Sequence, residues 1–136
     1  MSGGGNGGNQ LLGAGPCEQR AQSDGGNLEG VSIGLIQSAC SMVQTETVAR
    51  FKSWADLCAA ADHLRILIGL SEAGYTQAVL RHGKHLPSAC LAVVAEKALR
   101  EPKLIVSPGG YFRAMIDRAS DHRLNLKKSL FGLAHS

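Results

Sequence analysis

The chain has 136 residues, enough for one domain with a modest core. Apolar residues make up 44% of it and aromatics only 4%, with Ala and Leu prominent, which suits small helices packing closely and argues against a β-sandwich or barrel. The net charge of +3 is uneven: residues 1–50 hold two basic and four acidic side chains, residues 51–136 twelve and seven, a balance compatible with a nucleic-acid partner without requiring one.

Residues 1 to about 30 are rich in Gly, Asn and Ser, beginning Met1-Ser2-Gly3-Gly4-Gly5-Asn6. Such a segment buries too little apolar surface to offset its ordering entropy, so a flexible leader is expected over 1–30 and a helical domain over 31–136. Leu35, Ile36 and Ala39, extended by Met42 and Val43, predict a short first helix. Ser53 caps a stronger one, in which Trp54, Leu57, Cys58, Ala61, Leu64 and Ile68 follow the helical period. Asp56 gives its first turn a negative charge suited to the dipole, and Gly69 is placed to end it in a left-handed cap. Ser71 starts the next, with Tyr75, Ala78, Val79 and His82 on one stripe and Gly83 as the stop. Pro87 fits the first turn of a fourth, with Leu91, Val94, Ala95 and Ala98 on its stripe.

Pro102 ends that region, and Lys103 to Val106 reads as an extended connector. Ser107 then N-caps a helix with Pro108 at its first position, and Phe112, Met115, Ile116 and Ala119 lie at i, i+3, i+4 and i+7. Leu126, Leu130, Phe131 and Leu133 predict a short closing helix. The expected architecture is an all-α bundle of about five or six short helices.

The Gly109–Gly110 pair admits two readings. Free N–H groups at Gly109, Gly110 and Tyr111 could receive a phosphate with the help of the dipole. Alternatively, the glycines let this helix cross closely over another, or let Tyr111 dock. Of the basic residues Arg113, Arg118, Arg123, Lys127 and Lys128, part belongs to an ordinary charged face with Asp117 and Asp121, while Arg123, Lys127 and Lys128 are less neutralised and could hold phosphates. Trp54 and Tyr111 read as core anchors rather than base-stacking platforms. His82-x-x-His85 near Cys90 matches no zinc signature, so no metal and no cofactor are expected. His63 reads as a surface or helix-boundary residue. No nucleophile elbow or Ser–His–Asp arrangement is recognisable, and an enzyme is not expected. Cys17, Cys40, Cys58 and Cys90 lack paired spacing, and no secretory signal or membrane-spanning run occurs. These features point to a cytoplasmic protein with reduced thiols.

Two stretches resemble a known family. Ser107-Pro108-Gly109-Gly110-Tyr111-Phe112-Arg113-Ala114-Met115, continuing through Leu124-Asn125-Leu126 to Ser129-Leu130-Phe131-Gly132-Leu133, is similar to the C-terminal end of the plasmid replication initiators called RepC. Upstream, Ser53-Trp54-Ala55-Asp56-Leu57, Ala59-Ala60-Ala61, Leu64-Arg65 and Gly69-Leu70-Ser71 look like that family's helix and following turn. Together they frame roughly residues 38 to 133. The positions shared with the motif are Trp54, Leu57, Arg65, Gly69, Ser71, Gly83, Pro108, Gly109, Gly110 and Tyr111. Tyr75 stands where the family tends to place Trp, and His82 where Met is common.

The resemblance implies replication initiation without phosphodiester chemistry. Origin DNA would be one partner, and initiator self-association or host replication proteins another. Family members carry a winged-helix-like DNA-binding domain ahead of this region, and this sequence is matched only by the region after it. The implied role is therefore a C-terminal module that assists DNA binding or origin assembly. Ser107, Gly109, Gly110, Arg113, Arg118, Arg123, Lys127 and Lys128 would be its phosphate-contacting surface. A protein-interaction module, or a truncated remnant, is the alternative.

Overall fold

A computed structural model describes residues 27–135, and every regular element among them is a helix. The leader expected over residues 1–30 lies outside the described residues up to position 26. Residues 27–30 form a turn in which Asn27 and Leu28 are buried, Asn27 donating to the Ala119 carbonyl at 3.2 Å.

Eight helices follow: α1 (Ile33–Ala39), α2 (Ser41–Thr47), α3 (Trp54–Ala59), α4 (Ala61–Leu67), α5 (Glu72–His82), α6 (His85–Arg100), α7 (Pro108–Ser120) and α8 (Leu126–Ala134). The all-α expectation holds, with more and shorter pieces than the periodicity suggested. The first expected helix breaks at Cys40 (φ −107°, ψ 53°), and the Ser53–Ile68 helix is interrupted at Ala60. The expected extended connector is instead a turn closed by Leu104 N–H donating to the Glu101 carbonyl at 3.0 Å.

Local chemistry sets most helix starts. Ser32, Ser53, Ser71, Ser107 and Asn125 each accept a backbone N–H of the first turn of α1, α3, α5, α7 and α8 through the side-chain oxygen. The end of α4 is a Schellman turn: Gly69 N–H donates to Ile66 and Leu70 N–H to Arg65, with Gly69 at φ 74°.

α6 is the axis of the bundle. Leu86 to Glu96 is buried without interruption, so the helix is enclosed on all sides rather than along one stripe. All seven other helices pack against it, and α8 also packs on α1. Small residues such as Ala89, Ala92 and Ala95 permit that close approach. On α7 the expected stripe of Phe112, Met115, Ile116 and Ala119 is the buried face, with Phe112 alone contributing roughly 2–3 kcal/mol by burial.

Charge inside this axis is confined to one hub. The Glu96 side chain is wholly buried and accepts from the N–H groups of Met42 (3.3 Å) and Val43 (2.9 Å), and from Arg100 Nε at 2.6 Å. α2 has no side-chain cap of its own, so a carboxylate from α6 caps it across the core. Arg100 in turn donates to the carbonyls of Ala39 and Leu133, each at 2.9 Å, closing the ends of α1 and α8. Burial, and then the Glu96 carboxylate, push the neighbouring Cys40 thiol above its ordinary range, leaving it a neutral filler.

Candidate nucleic-acid interface

The start of α7 is built as a packed junction. Ser107 Oγ accepts from Gly110 N–H at 3.3 Å, and Pro108 occupies the first helical position. A Cβ at Gly109 would lie 3.6 Å from the Gly69 carbonyl oxygen and 3.8 Å from that of Ile68, so this turn of α7 lies against the carbonyl end of α4. Tyr111 docks on α6, its hydroxyl accepting from Lys97 Nζ at 2.9 Å. The close-crossing reading of the glycines therefore has a concrete partner in Gly69.

A methyl group fits at Gly109 in ordinary contact, and its φ is not in the left-handed region. Gly109→Ala is accordingly expected to raise stability by about 0.5 kcal/mol through the unfolded chain. Gly110→Ala, whose Cβ would stand 3.0 Å from the capping Ser107 Oγ, should lower it. Thermal unfolding of the two variants separates these outcomes.

The other motif residues are also set into packing. Trp54 is buried and stacks on His85, ring centroids 4.7 Å apart, and its indole N–H has no hydrogen-bond partner among the described residues. Leu57 is fully buried. Arg65 pairs with Asp62 at 2.8 Å and donates to the Leu70 carbonyl at 3.0 Å, clamping the turn after α4.

His85 gives the packing a pH dependence. Burial lowers its pKa from the usual 6.5, so the neutral ring is favoured in the folded state and the unfolded chain takes up the proton first. This contribution is complete above about pH 6.5 and is lost as pH falls through that value towards the folded pKa. His85→Gln should flatten the fall in urea midpoint between about pH 7 and 5.

The basic residues of α7 and α8 stand on two helices held by different neighbours: α7 lies mainly on α6, and α8 on α1 and α6. Arg113 lines a groove of about 210 Å³ between α5 and α7, with Arg81 and Asp117. Lys128 lines a wider groove of about 620 Å³ between the end of α6 and α8, with Lys97, Arg100 and Glu101. Lys127 runs past Gly30, and its ammonium lies 5.9 Å from the Phe131 ring centre. Arg118 is exposed in the last turn of α7. Arg123, expected to be among the less neutralised cations, instead pairs with Asp121 at 3.2 Å, because the turn after α7 brings the two exposed side chains together. Arg113, Arg118, Lys127 and Lys128 are exposed and make no ion pair among the described residues.

Arg81 and Lys97 join these cations only through the fold. Their helical positions place them on grooves that cannot be inferred without knowing that α6 lies at the centre. His82 and Ser120 do meet, Nε2 to Oγ at 3.2 Å, and Arg81 also donates to that oxygen. The hydroxyl itself donates to the Ile116 carbonyl at 3.1 Å, so Ser120 ties α5 to α7. No group of three or more His, Cys, Asp or Glu side chains suited to a metal occurs among the described residues. No helix among them is long and apolar enough to cross a membrane.

Comparison with known proteins agrees with the resemblance in the sequence. The family model described as the replication protein C C-terminal region matches residues 32–136. A protein of Rhizobium rhizogenes named "Putative replication protein C" is 30% identical over 123 residues, which cover 89% of this chain and 29% of that relative. The chain thus spans under a third of the length of the relative it matches. No solved structure matches. With more than half of its length matched, the chain belongs to the replication protein C family, through that family's C-terminal region.

Proposed function

We propose that this chain is a C-terminal module of a plasmid replication initiator, a non-catalytic element acting in the cytoplasm that holds DNA phosphates at the origin while other parts of the initiator read sequence. The observation that carries this reading is the set of exposed cations on α7 and α8, Arg113, Arg118, Lys127 and Lys128, without ion-pair partners among the described residues. Cations of this kind bind phosphate by releasing counterions and position a protein without specifying bases. Arg123 is a weaker contributor because Asp121 partly neutralises it. The α7 start, with Ser107, Gly109 and Gly110, contributes mainly by fixing α7 on α4, since carbonyls of Ile68 and Gly69 face Gly109.

The test is a titration of the full chain with a labelled origin-length duplex at two salt concentrations. Four phosphate contacts give a slope of about −3.6 in log affinity against log salt, so a fourfold rise in salt should weaken binding by at least about 100-fold. Absence of binding at low salt removes the DNA role.

A second reading has its own support. Ile66 and Leu67 at the end of α4, with Leu104 and Val106 in the loop before α7, are exposed apolar residues on segments that meet at the Gly69–Gly109 junction. Such residues suit self-association of initiators or capture of a host replication protein. A mass that stays monomeric at all concentrations, together with no binding to the full-length initiator, counts against it.

A further inference from the structure

The end of α2 breaks the rule that ends α4. Val48 N–H donates to Thr45 and Ala49 N–H to Gln44, the same pair of bonds that closes α4 around Gly69. Here the left-handed position, φ 52°, is filled by a β-branched residue, which is strained there. The structure contains one other non-glycine residue of positive φ among those described, His122, a type that tolerates this region better. Val48 gains nothing from the fold in return: it is 92% exposed, and a glycine would close the turn without strain.

The surroundings hold the strained turn firmly. Gln44 Nε2 donates to the carbonyls of Gln37 (2.8 Å) and Cys40 (2.9 Å), while its Oε1 accepts from Phe51 N–H at 2.9 Å. Phe51 is fully buried, whereas Arg50 and Lys52 on either side of it are exposed. The loop therefore anchors inward through one aromatic and presents Val48, Arg50 and Lys52 outward. Arg50 stands between two shallow grooves, one shared with Val48 and Gln44, the other with Lys52 and Asp56. Glu46 and Asp56 are also exposed nearby, yet neither pairs with Arg50 or Lys52. A strained turn held by a rigid frame thus presents an apolar tip beside two cations that make no ion pair among the described residues.

We propose that the Val48–Lys52 loop is a second nucleic-acid contact of this module, with Arg50 and Lys52 on backbone phosphates and the Val48 isopropyl group packed on the adjoining sugar or base edge. The inference rests on the DNA-binding reading above and adds a site on the opposite arm of the sequence from α7 and α8. It also explains the residue choice at position 48: the side chain is kept for what it touches outside the protein.

Two variants of the full chain test it in the duplex titration. Val48→Gly should raise the melting temperature by about 3 °C through relief of the left-handed strain. It should nevertheless weaken DNA binding by about tenfold with the salt slope unchanged, since an apolar contact releases no counterion. Arg50→Ala/Lys52→Ala should reduce the slope by about 1.8. A Val48→Gly protein that binds as wild type, or an unchanged slope in the double variant, overturns the proposal. A Val48→Gly protein that loses self-association while its DNA titration is unmoved makes the loop a protein contact and overturns it equally. Wild type that fails to bind at low salt instead overturns the DNA reading itself, so the two failures are distinguishable.

Discussion

Glu96→Ala is expected to cost about 3–5 kcal/mol of folding stability. The carboxylate is fully buried and does three things at once: it pairs with Arg100 and satisfies the N–H groups of Met42 and Val43 at the uncapped start of α2. Removing it takes the Glu96 carboxylate from a guanidinium that is only 21% exposed, and leaves two backbone donors without that acceptor. Since a domain of this size has a total stability of about 5–15 kcal/mol, the loss removes a large share of it. Urea unfolding followed by far-UV circular dichroism measures the loss. Adding Arg100→Leu should recover part of it, because the largely buried guanidinium that Glu96 served is replaced by an apolar side chain, although the carbonyls of Ala39 and Leu133 then lose their donor. A Glu96→Ala protein within about 0.5 kcal/mol of wild type, the range of an ordinary surface change, would contradict the hub.

The second large effect concerns binding rather than stability. Replacing Arg113, Arg118, Lys127 and Lys128 together by alanine should leave the melting temperature nearly unchanged, because all four are exposed and none forms an ion pair among the described residues. Lys127 is the one to watch, since its stem lies against Gly30 and its ammonium near Phe131. Affinity for duplex DNA at low salt should nonetheless fall by about 100-fold or more. Arg123→Ala should matter less, because Asp121 already shares its charge. Anisotropy titrations with the same duplex check both statements, with circular dichroism confirming the fold.

How much of this was legible in the sequence depends on the range of the interaction concerned. Helix starts at Ser53, Ser71 and Ser107 were readable because the cap, the first-turn residue and the apolar period all lie within a few positions of one another. The Phe112–Ala119 stripe was readable for the same reason. The break at Cys40 was not: the cap that starts α2 is Glu96, supplied from α6 on the far side of the chain. The interruption at Ala60 carries no Gly or Pro to announce it, and serves to lay both α3 and α4 on α6.

α6 itself did carry a signal. Leu86 to Ala95 is nearly free of polar residues, a pattern that marks an enclosed helix and makes the carboxylate at its end a candidate for burial. The stripe of Leu91, Val94, Ala95 and Ala98 alone does not reveal Glu96 and Arg100. The two readings of Gly109 could be compared only when Gly69 was placed against it, since no local pattern links positions forty residues apart. Val48 was invisible for the opposite reason: left-handed turns are sought at Gly and Asn, and valine is among the residues least expected there.

The salt dependence of DNA binding by the full chain, wild type beside the variant lacking Arg113, Arg118, Lys127 and Lys128, tests the central claim most directly. The expected result is a wild-type slope of about −3.6 or steeper, shallower by about 3.6 in the variant. Wild type that ignores DNA at low salt, or a variant whose slope and affinity match wild type, would contradict it.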